Sequence, residues 1–293
     1  MNFILTTDTS CDELKTVLND PNVPWIPLSF TIQGRTFEDD FSSDAEYRAF
    51  YKKLAGGARP TTSQITPLAH EEFFEKVVKE HKAAAIVHLS LSGGLSDTAN
   101  SAVKGAESYM ARDPKVKIYI TDTFAATQTH NLLVREGIRL RGGGASAEEA
   151  YGRLELLKAR LQGWFMVDDL FHLRRGGRIS GASAAIGTVL NIKPVLILDR
   201  DGKLAIVKKV QGTSKVFNFF LDVIEKYKTD DTDEVAVIHA NAYKNAELLK
   251  ARILERYPSF RVPIGWLGPV IGAHCGEGMI GLTFAGKNRS EIK

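Results

Sequence analysis

Short apolar runs that give way to a polar turn and then to a helix-like segment recur through the first half of the chain. That repetition limits the fold more than any other feature. Ala84-Ala85-Ile86-Val87-His88-Leu89 passes through a turn at residues 90–98 into a helical stretch from Ala99 to Ala111. Val116 to Ile120 passes through Thr121-Asp122-Thr123 into another helical stretch. Phe3 to Leu5 opens the chain ahead of Thr6-Thr7-Asp8-Thr9-Ser10, with a short helix expected from Asp12. Apolar runs of this length suit strands covered on both faces, and strand–turn–helix units assemble into an open, mostly parallel sheet flanked by helices. In such sheets ligands sit beyond the carboxyl ends of the strands, where these Ser- and Thr-rich turns would converge.

The intervening segments carry clear punctuation. A helix from Asp44 to Leu54 should stop at Gly56-Gly57, and Ser146 to Glu149 has capping-box spacing. Gly142-Gly143-Gly144 reads as a helix-ending loop. Trp25 to Ile32 reads as one strand, irregular or at an edge because of Pro24 and Pro27. Thr61-Thr62-Ser63-Gln64-Ile65-Thr66-Pro67 sets hydroxyls and an amide ahead of a helix, with Thr66 suited to the N-cap and Pro67 to the first turn. Hydroxyls beside free helix N–H groups can receive a carboxylate or phosphate, or merely cap the helix. Local sequence leaves both readings open.

The texture changes near Gly163. Trp164 to Val167 is strand-like, and Asp201-Gly202 between Pro194–Leu198 and Lys203–Val207 signals a hairpin. A helix is expected over Thr213–Tyr227, a strand at Val235–His239, a helix near Ala246–Tyr257, and short strands at Arg261–Ile264, Val270–His274 and Ile280–Phe284. The expectation is therefore an α/β protein of two domains. Residues 1–162 form the N-terminal α/β domain with the hydroxyl-rich turns, and residues 163–293 form a C-terminal α+β domain.

With 293 residues, 44% of them hydrophobic and 25% charged, the chain can bury a full core. A net charge of +3 and no basic stripe interleaved with aromatics argue against nucleic acid. Cys11 and Cys275 are the two cysteines, too few for a disulfide scaffold or a Cys-rich zinc site. No signal peptide or membrane-length apolar run is present, so a cytoplasmic protein without stable membrane insertion is expected.

Chemistry is sparsely signposted. Ser92-Gly93-Gly94 could bring hydroxyls and backbone close to an anion, or form a capped turn with no ligand. Gly276-Glu277-Gly278-Met279-Ile280-Gly281 spells GxGxxG, but the chain ends before the strand and acid that a dinucleotide site needs. No Walker lysine motif or nucleophile elbow occurs. No histidines stand at i, i+4 metal spacing, so no metal and no cofactor are expected. His274, between an apolar run and a glycine-rich turn, is placed either to reach a cleft or to sit as a structural histidine. Arg174, Arg175 and Arg178 form a basic knot, of which Arg178, following two glycines, should be the one held in place.

Taken together, these segments resemble the DegV family of bacterial lipid-binding proteins. The matching pieces run in order along nearly the whole chain: Thr7-Asp8-Thr9-Ser10, Thr62-Ser63-Gln64, Leu91-Ser92 with Leu95-Ser96-Asp97-Thr98, and Asp122-Thr123. They continue with Asp168-Asp169-Leu170, Gly176-Gly177-Arg178-Ile179-Ser180-Gly181, Asn191-Ile192-Lys193-Pro194, Asp201-Gly202-Lys203 and Gly268-Pro269-Val270-Ile271-Gly272-Ala273-His274.

The resemblance implies a long-chain fatty acid buried between two domains. It further implies a non-catalytic subunit that presents the acid to a separate ATP-dependent fatty acid kinase, which makes an acyl phosphate for phospholipid synthesis. Its carboxylate contacts would fall on Thr62, with Thr61 and Ser63 adjacent, on Ser92 and on His274, with Arg178 positioning the head group or facing the kinase. The family commonly has two serines where this chain has Ser92-Gly93, so Ser92 or the Gly93 and Gly94 N–H groups would have to serve instead. Asp97 also stands where glycine is usual. A rival expectation is a self-sufficient enzyme in which His274 acts on a small phosphorylated or carbonyl substrate.

Overall fold

The computed structural model describes residues 2–12, 20, 22–40, 43–168, 170–179 and 191–292. The helix expected after Asp12, Asp169, and Ser180-Gly181 of the glycine–arginine segment lie outside the described residues.

The first half builds two sheets and five described helices. In chain order these are β1 (Ile4–Asp8), β2 (Trp25–Ile26), β3 (Ser29–Ile32), β4 (Arg35–Glu38), α1 (Asp44–Ala55), β5 (Thr61–Ser63) and α2 (Pro67–His81). Then come β6 (Ala85–Ser90), α3 (Thr98–Arg112), β7 (Lys117–Asp122), α4 (Thr127–Gly142) and α5 (Ala147–Lys158). Strands β2-β1-β6-β7 form a wholly parallel sheet. Because strand side chains alternate, Ile4, Ile86 and Ile118 pack against Phe74 and Val77 of α2 and Tyr109 of α3. Phe3, Leu5, Val87 and Leu89 pack on the other side against Leu133 of α4 and Leu154 of α5. The expected open α/β sheet with helices on both faces is what forms.

Local punctuation carries much of this. Ser43 and Ser146 head capping boxes with Glu46 and Glu149, and Thr66 accepts from the Ala69 N–H with Pro67 in the first turn. Trp25 to Ile32, however, is two strands in different sheets. Pro27 has no N–H to donate, and the Leu28 N–H turns away to Thr9 Oγ1 at 2.9 Å. β3 joins β4 and β5 in a small antiparallel sheet. Thr61-Thr62-Ser63 is thus an edge strand and not a loop.

The second half follows with β8 (Leu161–Met166), α6 (Phe171–Arg175), β9 (Ile192–Leu198), β10 (Leu204–Gln211), α7 (Thr213–Tyr227) and β11 (Ala236–His239). It closes with α8 (Tyr243–Arg256), β12 (Ile264–Trp266), α9 (Pro269–Cys275) and β13 (Ile280–Ala285). Strands β10-β9-β8-β13-β11-β12 form one sheet, antiparallel except for β11 with β12. The Asp201-Gly202 hairpin forms as expected, with Gly202 at φ 70°. One face of this sheet, with Trp164, Ile197, Leu282 and Phe284, is sealed by Phe217 and Phe220 of α7 and Leu249 of α8. The other face, with Phe165, Leu196 and Ile238, meets Leu28, Phe30, Leu173 and Val270 in a fourth core.

Two strand expectations fail here. Arg261 makes only an isolated bridge to Glu234, and the strand begins at Ile264. Val270–His274 is helical: Gly268 is the N-cap, Pro269 starts the first turn, and the Val270 N–H donates to Asp39 Oδ2 at 3.3 Å. The Gly276-x-Gly278 stretch then leads from a helix into a strand, with both glycines at positive φ. That is the reverse of the strand-to-helix order a dinucleotide fingerprint requires. Both cysteines are buried. Among the described residues no helix is long and apolar enough to cross a membrane.

Candidate functional site

Between the inner face of the six-stranded sheet and the elements of the first half lies a cavity enclosing about 840 Å³, its open mouth included. Leu28, Leu91, Leu173, Val270, Ile271 and Ile238 make most of its wall apolar. Space exists partly because two inward positions are glycines. Gly163 pairs with Thr283 and Gly281 with Phe165 across β8 and β13, and a Cβ at Gly281 would lie 3.0 Å from both Ile238 and Phe165.

One end of this cavity is polar. Thr62 Oγ1 and His274 Nε2 are hydrogen-bonded at 2.8 Å, joining β5 to α9 across 212 positions of sequence. His274 Nδ1 has no partner among the described residues. It faces Gly176, where a Cβ would stand 2.1 Å from it, so only glycine lets the backbone pass there. Arg178 is fixed at the same end: its Nε donates to the Leu95 carbonyl at 3.0 Å and its Nη1 to the Gly176 carbonyl at 2.6 Å. Burial, then the charges of Arg178, Arg175 and His172, push His274 down to about 4. Its imidazole is therefore neutral near pH 7. Burial alone lowers Arg178. Arg175 stacks over Phe171 and donates weakly to the Ala273 carbonyl.

The sequence-predicted site residues divide. Thr62, Ser63, Arg178 and His274 all line the cavity. Thr61 alternates away from Thr62 and is exposed. The structure does not bring Ser92 and Gly93 to the wall. The Ser92 hydroxyl donates to the Gly202 carbonyl at 2.8 Å and accepts from the Gly94 N–H, which ties the turn after β6 to the β9–β10 hairpin. The Gly93 N–H donates to Asp122 Oδ1 at 3.0 Å, and a Cβ there would strike that carboxylate. A serine at 93 would require the Asp122 carboxylate to shift.

The Thr7–Ser10 turn is likewise consumed internally. Asp8 accepts from the Ser10 N–H and hydroxyl and from the Leu91 N–H at 2.7 Å, fixing the loop that carries Leu91 and Leu95.

Sequence reasoning missed Thr127, Thr129 and Thr283, which also line the cavity. Thr127 begins α4 at φ 60°, a costly conformation for a β-branched residue and one that tends to accompany ligand contacts. Gly163 and Gly281, inward-facing on paired strands, were the one available signal for a cavity floor. Among the described residues no group of three or more His, Cys, Asp or Glu side chains is arranged to hold a metal ion.

Fold and cavity together define an α/β protein with a mostly apolar chamber and one polar end. The sequence profile described as "Uncharacterised protein, DegV family" matches residues 2–287. The chain belongs to the DegV family. A DegV domain-containing protein of Clostridium perfringens is 34% identical over 288 residues, covering 98% of both chains. The solved structure of a DegV family protein from Thermus thermophilus, described as fatty acid binding, superposes with a TM-score of 0.85 at 26% identity, covering 98% of this chain and 100% of that one. The fatty acid binding DegV family protein of Streptococcus agalactiae gives 0.86 at 26% identity, with the same coverage.

Proposed function

We propose that this protein binds a long-chain fatty acid in the apolar chamber and presents its carboxylate to a separate, ATP-dependent kinase that forms an acyl phosphate. The observation that carries the reading is the Thr62–His274 pair beside Arg178 at a polar end of a mostly apolar cavity. An acyl chain of about 16 carbons gains roughly 0.8 kcal/mol per buried methylene, a ceiling that the lost freedom of binding reduces. The tail thus supplies most of the affinity, and the head needs only a few donors. With Thr62 and the neutral His274 bonded to each other, one proton of the pair is left to donate to the head group, and Arg178 supplies the nearest positive charge.

A bound carboxylate would raise the pKa of His274, readying the imidazole to offset charge that builds up as a carboxylate oxygen attacks the γ-phosphorus. The chain carries no phosphate-binding motif, so nucleotide would come with the partner. In this reading residues 1–162 contribute Thr62 and the turns behind it, while residues 163–293 contribute Arg178 and His274. The site is cytoplasmic, where ATP is available. The rival reading, an enzyme on a small polar substrate, asks for a hydrophilic cleft, and the apolar wall speaks against it.

Mass spectrometry of an organic extract of the purified protein should find about one long-chain fatty acid per chain. The delipidated protein should bind palmitate saturably, and the Thr62→Ala/His274→Ala double variant should bind it about tenfold or more weakly. An extract without lipid, together with no saturable palmitate binding, would overturn the proposal.

A further inference from the structure

The chamber is not apolar throughout. On β13 the inward positions from the polar end onward are Met279, Gly281 and Thr283, since Ile280, Leu282 and Phe284 belong to the opposite core. Thr283 is 3% exposed, lines the cavity, and its Oγ1 has no hydrogen-bond partner among the described residues. Across the sheet it pairs with Gly163, which adds no side chain of its own. Above Gly163 stands the Thr129 hydroxyl, 2.9 Å from where a Cβ would be. A buried hydroxyl with no partner is disfavoured, whereas valine would fill the same volume at no such cost. An orphan hydroxyl beside a second threonine, in a wall otherwise suited to hydrocarbon, is a polar subsite well away from the head group.

We infer that Thr283 is a specificity-determining residue that selects fatty acids carrying an oxygen, as a hydroxyl or ketone, part-way along the acyl chain. The inference rests on the fatty acid reading above and narrows its ligand class. Position follows from the strand. Four residues from Met279 to Thr283 advance about 13 Å. An extended chain advances about 1.2 Å per bond, so the oxygen falls about ten carbons beyond the level of Met279. A hydroxyl there can donate to or accept from Thr283 Oγ1, while oxygens near the carboxyl cannot reach it.

The test is the dissociation constants of stearate, 2-hydroxystearate, 10-hydroxystearate and 12-hydroxystearate with the full chain, read as ratios to stearate. The wild type should bind 10- or 12-hydroxystearate at least as tightly as stearate, and 2-hydroxystearate more weakly than either. Thr283→Val should lower the mid-chain-hydroxy to stearate affinity ratio about five- to tenfold, and Thr283→Ser should restore it. The inference is overturned if the wild type binds both mid-chain hydroxy acids about tenfold more weakly than stearate. It is equally overturned if Thr283→Val leaves the ratio unchanged, as it would were a trapped water the partner of Thr283. Should Thr283→Val not fold, the wild-type ratios decide alone. Stearate binding with both mid-chain hydroxy acids about tenfold weaker removes only this inference, whereas failure of all four acids to bind removes the fatty acid reading with it.

Discussion

His274 and Asp39 are buried titratable groups whose effects on stability run in opposite directions. Burial and neighbouring cations hold His274 at about 4, and burial takes His239 to about 4 as well. Between that value and the ordinary histidine range, the unfolded chain carries protons that the folded one lacks. Both histidines therefore make stability fall as the pH drops through that window.

Asp39 behaves the other way. Burial, opposed by the Val270 N–H and aided by Asp40 and Asp8, raises it to about 8. Between the ordinary aspartate range and about 8 the folded chain keeps a proton that the unfolded one has lost, so stability falls as the pH rises through that window. Asp39→Asn should remove this alkaline loss, worth up to about 1.4 kcal/mol per pH unit for one proton. Urea unfolding at pH 6, 7 and 8 reads it directly. A variant whose stability declines with pH as steeply as the wild type would refute the assignment of that proton to Asp39.

Among the elements, the β9–β10 hairpin is informative because its tip is held from outside its own sheet. Ser92 donates to the Gly202 carbonyl, and the buried Arg289 donates to the Asp199 and Phe124 carbonyls. Leu198 and Leu204, which flank that turn, line the chamber. Ser92→Ala leaves a buried carbonyl without its donor and should cost about 1–3 kcal/mol of unfolding free energy. Denaturant titration measures that loss, and a variant as stable as the wild type would show that the hairpin tip is not held by Ser92.

Elements were legible wherever a short-range signal fixed them. The Ser146–Glu149 box, Thr66-Pro67 and Asp201-Gly202 all act within four residues. Val270–His274 misled because β-branched Val270 and Ile271 suggest a strand, while Gly268-Pro269 and a carboxylate from Asp39, 231 positions away, start a helix. The Ser92 hydrogen bond was hidden for the same reason: its acceptor lies 110 positions on, in a turn whose approach no local pattern announces.

On the scale of the whole molecule, the chamber exists because the six-stranded sheet treats its faces differently. Large apolar side chains seal one face against α7 and α8. The other leaves Gly163 and Gly281 bare beneath α4 and α9. The alternating sheet architecture could be read from apolar runs, but the void could not, since it depends on which strands become neighbours. Thr62 and His274 could be put in one site only through the family resemblance, because nothing local links residues so far apart.

Occupation of the chamber should also stabilise the fold, by about 2.7 kcal/mol at a ligand concentration 100 times the dissociation constant. The central claim is that an acid's head lies against Thr62 and His274 with its tail in the chamber. A crystal structure of the palmitate-loaded protein tests it most directly. The account predicts a carboxylate oxygen within about 3.2 Å of Thr62 Oγ1, with continuous acyl density running inward along β13. A carboxylate bound elsewhere, or an acyl chain lying on the outer surface above an empty chamber, would contradict it.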